Sequence, residues 1–224
     1  MLYLDTANIE ELKKAMRVNI LKGVTTNPSI LLKEKKRRED IINEILSVTT
    51  EEVFIQTDGM TVEEILDDGE AILETFQSER IALKIPAHLE GIEAIKTMKD
   101  RHQHVKILAT SIYSADQGLL AAMAGSDYIA PYVNRMENNN IDPYKAIRTI
   151  RKIYDDQQFS TKILAASFKN TSQIVQILAA GAHTATISYE LFAQMANKGL
   201  ALEAIEKFNA DATELSDLEG RTNV

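Results

Sequence analysis

The chain has 224 residues, 45% hydrophobic and 26% charged, the balance of a globular protein with room for a sizeable core. Its 33 acidic residues outnumber 25 basic ones, for a formal net charge of −8, so it carries no footprint for nucleic acid or an anionic membrane surface, and an anionic substrate needs a local basic site. With no cysteine in the sequence, disulfides, thiolate nucleophiles, iron–sulfur clusters and cysteine zinc sites are excluded.

The opening Met-Leu-Tyr-Leu-Asp is followed by acidic residues, unlike a signal peptide, and no apolar run approaches membrane-spanning length; a cytoplasmic location is expected. Residues 2–6 read as a strand, and Asn8 is placed to cap a helix traced by Ile9, Leu12, Ala15 and Met16. Gly-Val-Thr-Thr-Asn-Pro-Ser at 23–29 is a second strand ending in a polar loop. Residues 30–48 read as one amphipathic helix whose basic run, 33–38, is a solvated face. Further strands are expected at 53–58, 81–86, 105–111, 128–133, 161–167 and 184–188. Helices at 62–76, 92–98, 115–124, 144–154, 174–180 and 191–195 follow them in turn, and a last amphipathic helix covers 202–208.

Eight strand–helix alternations match a closed α/β barrel, the (β/α)8 or TIM barrel, whose usual size is about 250 residues. An open doubly wound sheet is the alternative. Neither a Gly-x-Gly-x-x-Gly fingerprint nor a phosphate-loop lysine motif is present to support it, and short, evenly spaced strands suit a barrel. Residues 1–224 are therefore expected to form a single TIM-barrel domain with an extra C-terminal helix and tail from about residue 200.

The run Ile-Ala-Leu-Lys-Ile-Pro at 81–86 puts Lys84 in the middle of what reads as a fully buried strand. No acid lies within two residues of it, so removal from water favours the neutral amine, the form that attacks a carbonyl to make a Schiff base. The alternative is a stem that lines the strand while its head reaches water at the strand end.

In a parallel barrel, catalysis is found at the C-terminal ends of the strands. Those ends supply Asp5, Asn27, Gln56, Lys84, Thr110, Tyr132 and Ser167. Taken singly, such residues start loops or cap helices; their coincidence with a mid-strand lysine describes a site. Asp5 suits proton transfer at the carbinolamine and enamine stages and would stabilise an iminium. Asn27, Gln56, Thr110 and Tyr132 can hold substrate hydroxyls or fix a water, although Tyr132 can equally fill core with its OH at the wet end. Arg135, Ser167 and Lys169, just past the sixth and seventh strands, suggest an anion site of the kind barrels use for phosphate, with Arg135 gripping as a fork. Each of these bases also fits a surface charge. His88, His102, His104 and His183 read as non-ligands, and the pairs Asp67–Asp68 and Asp155–Asp156 as solvated helix acids, so no metal is expected.

Several ordered motifs carry a family resemblance. Leu-Asp-Thr-Ala at 4–7, the 23–29 motif, Leu-Lys-Ile-Pro at 83–86, Gln-Gly-Leu-Leu at 117–120, Ala-Pro-Tyr-Val-Asn-Arg at 130–135 and Ala-Ala-Ser-Phe-Lys at 165–169 together resemble the small transaldolase family. The similarity runs the length of the chain, down to a terminal Gly-Arg-Thr at 220–222 similar to the fructose-6-phosphate aldolase branch. The resemblance implies class I aldolase chemistry without metal or other cofactor, with Lys84 as the Schiff-base lysine and Asp5 as the proton-transfer acid. Thr26, Asn27 and Thr110 would belong to the polar surroundings of the substrate, and Arg135, Ser167 and Lys169 to its phosphate. True transaldolases resemble one another in a glutamate on the third strand and a phenylalanine on the sixth, where this chain has Gln56 and Tyr132, the aldolase pair. A tyrosine hydroxyl acting through a water favours protonation of the enamine and release of a free ketone.

The implied reaction is reversible cleavage of fructose 6-phosphate to dihydroxyacetone and glyceraldehyde 3-phosphate. One alternative is a transaldolase that moves a dihydroxyacetone unit from sedoheptulose 7-phosphate or fructose 6-phosphate to an aldose phosphate in the pentose phosphate pathway. Another is a barrel that only binds a metabolite. The resemblance also implies a homo-oligomer, a decamer of two pentameric rings held partly by the C-terminal helix, with neither nucleic acid nor membrane as a partner.

Overall fold

A computed structural model describes residues 2–218, so the terminal Gly-Arg-Thr lies outside the described residues. The strands are β1 (Leu2–Asp5), β2 (Leu21–Thr25), β3 (Glu52–Gln56), β4 (Ile81–Pro86), β5 (Lys106–Ile112), β6 (Tyr128–Pro131), β7 (Lys162–Ala165) and β8 (Thr184–Ile187). All pair in parallel in sequence order, and β8 pairs back onto β1 to close the barrel. Between them run α1 (Ile9–Met16), α2 (Pro28–Lys33), α3 (Arg38–Val48), α4 (Val62–Phe76), α5 (Leu89–Arg101) and α6 (Ala115–Met123). The remaining helices are α7 (Val133–Asn138), α8 (Pro143–Gln157), α9 (Thr171–Ala179), α10 (Tyr189–Ala196) and α11 (Gly199–Leu218).

Period-two alternation sorts the strand residues into two cores. Outward-pointing Val53, Ile55, Leu83, Ile85, Ile107 and Ile163 pack beneath the helices, and inward-pointing Tyr3, Phe54, Ala82, Leu108, Tyr128 and Leu164 fill the lumen. Both faces are buried, which is why the strands read as near-continuous apolar runs. The lumen is closed at the N-terminal end by Tyr3, Phe54 and Tyr128, packed edge to face with ring centroids 5.5–6.4 Å apart. Below them Glu52 accepts hydrogen bonds from the Tyr3 hydroxyl at 3.0 Å and the Tyr128 hydroxyl at 3.4 Å, and pairs with Lys106. Burial holds both phenols above their ordinary titration range.

This floor requires a glycine on β2. A Cβ on Gly23 would lie 2.4 Å from the Glu52 carbonyl oxygen and 2.8 Å from the Tyr3 ring. Because the first obstacle is backbone, we expect Gly23→Ala to destabilise the fold by about 3 kcal/mol, read from the urea midpoint at constant slope.

The single helix expected over 30–48 is two. Lys35 takes a left-handed φ of 54°, and α2 and α3 are separate on either side of it. The first turn of α3 carries Glu39 and Asp40, which favour a helix start there. The basic run is not wholly solvated either, since Arg38 makes a two-pronged bond of 2.7 and 3.0 Å to the half-buried Asp68. Asp155 and Asp156 pair with Arg151 and Lys152 one turn earlier. A short helix, α7, which carries Arg135, stands between β6 and the helix expected at 144–154. The last helix is longer than 202–208, reaching Leu218, and none of its residues is buried. Among the described residues no helix is long and apolar enough to cross a membrane.

Candidate active site

The C-terminal strand ends surround a cavity of about 450 Å³, lined in part by Asp5, Thr25, Gln56, Lys84, Ser167 and Thr186. Lys84 reaches it because the alternation that sends Leu83 and Ile85 outward sends Ala82 and Lys84 inward. Its neighbours in register are Gln56 on β3 and Leu108 on β5. The residue is 5% exposed, and Nζ donates to the Thr26 carbonyl at 3.2 Å. The head therefore faces the enclosed mouth, and the alternative of an ammonium reaching bulk water is not what the chain adopts.

Asp5 ends β1 opposite Thr25 and accepts a 2.7 Å hydrogen bond from the Thr25 hydroxyl. Thr25 in turn lies 2.6 Å from the Thr186 hydroxyl. Depth in the barrel pushes the Asp5 carboxyl above the usual carboxylate range; the positive charge of Lys84, the Thr25 hydroxyl and Lys33 on α2 oppose that rise without cancelling it. The carboxyl keeps a water-accessible edge because it faces the cavity.

The opposite wall is aromatic and cationic. Tyr132, just past β6, shares a 2.8 Å hydrogen bond with the Thr110 hydroxyl and packs edge to face with Tyr113 at 5.6 Å. The Arg135 guanidinium sits 5.0 Å from the Tyr132 ring centroid and donates to the Tyr113 hydroxyl at 3.5 Å. Asn27 caps α2, its Oδ1 accepting from the Ile30 amide at 3.1 Å, so the side chain is held at the rim. Ser111 and Ser167 both line the cavity at left-handed φ of 60° and 62°, a conformation that non-glycine residues keep only where the surroundings impose it.

Asp5, Asn27, Gln56, Lys84, Tyr132, Arg135 and Ser167 thus meet at one cavity. Three other expected site residues stand back from it. Thr110 is fully buried behind Tyr132. Thr26 donates its hydroxyl to the Phe54 carbonyl at 2.9 Å and offers Lys84 only its own carbonyl. Lys169 is exposed, with its backbone amide bonded to Gln173 at 2.7 Å. Sequence reasoning missed Thr25, Ser111, Tyr113 and Thr186. A signal existed for Thr186: Thr-Ala-Thr-Ile in β8 alternates polar and apolar, which places both threonines on the lumen side.

A closed parallel barrel with its polar cavity at this end belongs to the enzymes that work at that mouth. The profile of the family described as transaldolase/fructose-6-phosphate aldolase matches residues 2–222, and the chain belongs to that family. It is 35% identical over 210 residues to a probable transaldolase of Carboxydothermus hydrogenoformans, covering 94% of this chain and 96% of the relative. It is 36% identical over 214 residues to probable transaldolase 2 of Bacillus anthracis, covering 93% and 96%. A probable transaldolase of Clostridium kluyveri is 32% identical over 216 residues, covering 96% and 99%. The chain is accordingly an enzyme of the aldolase or transaldolase type.

Proposed function

We propose that the chain is a class I aldolase that reversibly cleaves fructose 6-phosphate to dihydroxyacetone and glyceraldehyde 3-phosphate. The observation that carries this reading is a 5% exposed lysine amine in the barrel cavity, in electrostatic reach of a carboxyl whose own titration is raised by burial. Lys84 Nζ attacks the ketose carbonyl to give a carbinolamine, which loses water to an iminium. Cleavage of the next carbon–carbon bond but one, with the hydroxyl on its far carbon giving its proton to the Asp5 carboxylate, releases the aldehyde and leaves an enamine, the iminium having taken up the electron pair. Protonation of the enamine carbon and hydrolysis return the free amine and dihydroxyacetone.

Asp5 exchanges the protons that addition and dehydration require. Tyr132, with Thr110 bonded to its oxygen and Gln56 across the cavity, holds the water that protonates the enamine. Asn27 orients substrate hydroxyls. Arg135 and Ser167 hold the phosphate, with Lys169 in a supporting position, and Thr26 supports the substrate site from behind through the carbonyl it offers Lys84.

The second reading is a transaldolase acting on the same enamine, favoured by the names of the relatives. Incubation with fructose 6-phosphate alone separates the two: free dihydroxyacetone supports the aldolase, and turnover only after erythrose 4-phosphate is added supports the transaldolase. On the aldolase reading, Tyr132→Phe lowers acceptor-free dihydroxyacetone release by about tenfold to a hundredfold while transfer to erythrose 4-phosphate survives. A Tyr132→Phe enzyme that releases the ketone at the parent rate would remove Tyr132 from the protonation step.

The same reading takes residues 1–224 as one working barrel unit in the cytoplasm, assembled with further copies. The exposed Leu200, Ile205, Phe208 and Leu218 of α11 support an assembly, which the resemblance puts at two pentameric rings.

A further inference from the structure

We propose that Thr186 on β8 is a positioning residue, holding the Asp5 carboxyl in its working orientation through the hydroxyl of Thr25. The inference rests on the imine chemistry proposed for Lys84 and adds a residue that does not touch the reacting atoms.

A threonine hydroxyl has one proton to donate. Thr25 gives its proton to Asp5 Oδ1 at 2.7 Å, so the 2.6 Å contact between the two hydroxyls runs from Thr186 to Thr25. The chain crosses three consecutive strands of the closed sheet, β8, β1 and β2, at the seam where the barrel joins end to end. Thr25 is fully buried and Thr186 is 4% exposed, and a β-branched side chain has little χ1 freedom, so neither hydroxyl readily swings away to water. In such surroundings each donor polarises the next, and the hydrogen bond reaching Asp5 is stronger for having Thr186 behind it. With Oδ1 engaged in this way, Oδ2 is the oxygen left for proton exchange in the cavity. The charged and titratable groups around Asp5 are Lys84 on β4 and Lys33 on α2, with Tyr132 and Arg135 across the cavity. None of them is contributed by β8.

The test compares Thr186→Val, which keeps the shape and loses the hydroxyl, with Thr186→Ser, which keeps the hydroxyl. In each, the Asp5 carboxyl carbon is titrated by carbon-13 NMR of aspartate-labelled enzyme, and kcat/KM is measured against pH. A hydrogen bond to the charged form favours that form, so its weakening in Thr186→Val moves the Asp5 midpoint to higher pH. The acidic limb of kcat/KM moves the same way, with rates below it falling about fivefold, KM unchanged at neutral pH, and serine restoring both readouts. An unmoved Asp5 midpoint in the folded valine variant overturns the proposal, and so does a serine variant as impaired as the valine one. Where the valine variant fails to fold, Thr186→Ala is judged by the same titration. The NMR readout follows the hydroxyl chain whatever reaction comes after it, so its failure is separate from a failure of Lys84 to form an imine.

Discussion

Lys84→Met is expected to lower kcat by at least about 10⁴-fold and to abolish the covalent adduct that borohydride fixes in the presence of fructose 6-phosphate or dihydroxyacetone. Peptide mass spectrometry should place the reduced adduct on the β4 peptide of the parent enzyme and find none on the variant; labelling that survives the substitution would reject the mechanism. Methionine keeps the length and flexibility of the stem, and among the described residues Nζ has one hydrogen-bond partner, the Thr26 carbonyl. Loss of activity should therefore come without loss of the fold. A buried polar head is the expensive part of this side chain, so thermal unfolding of Lys84→Met should occur no lower than in the parent.

Asp5→Asn should lower kcat by about 10²- to 10⁴-fold, the range for a positioned proton-transfer group, while its carbonyl oxygen still accepts from Thr25. Its effect on stability has the opposite sign from that of a typical carboxylate. Because burial raises the Asp5 titration in the folded chain above its unfolded value, the folded state holds the proton over a range where the unfolded state has lost it. Stability therefore falls as pH rises through that window and stays lower above it. Asparagine removes the penalty, so Asp5→Asn should unfold at a higher temperature than the parent at neutral pH. The advantage should disappear as pH falls below the unfolded aspartate range, near about 4. An advantage that grows on acidification would mean that pairing with Lys84, not desolvation, governs the carboxyl.

What could be read from the sequence follows from how many independent constraints bear on each residue. The strand bearing Lys84 is bounded by a proline, β-branched and buried on both faces, and all three signals agree on Ile81–Pro86. The break between α2 and α3 is hidden because Glu34 to Arg37 are good helix formers with neither glycine nor proline among them; the tertiary need to separate a rim helix from an outer one overrides propensity. Arg135 is legible as a base near the rim, but the helix that aims it at Tyr132 is only six residues long, too short to leave a periodic pattern. Thr25 and Thr186 are strand formers by type, so their hydroxyls carry no distinguishing mark until register brings three strands side by side. Thr26 shows the reverse: it sits in the most distinctive motif of the chain, yet what it presents to Lys84 is main chain.

The aromatic triad of Tyr3, Phe54 and Tyr128 makes the lumen a blind vessel with one opening. Under the proposed chemistry, all traffic shares that opening, and one of the two fragments is tethered to the wall while the other is free. The untethered aldehyde must then clear the passage before hydrolysis can discharge the ketone. Reverse synthesis must load in the mirror order, with the ketone donor seated first and the aldehyde arriving behind it.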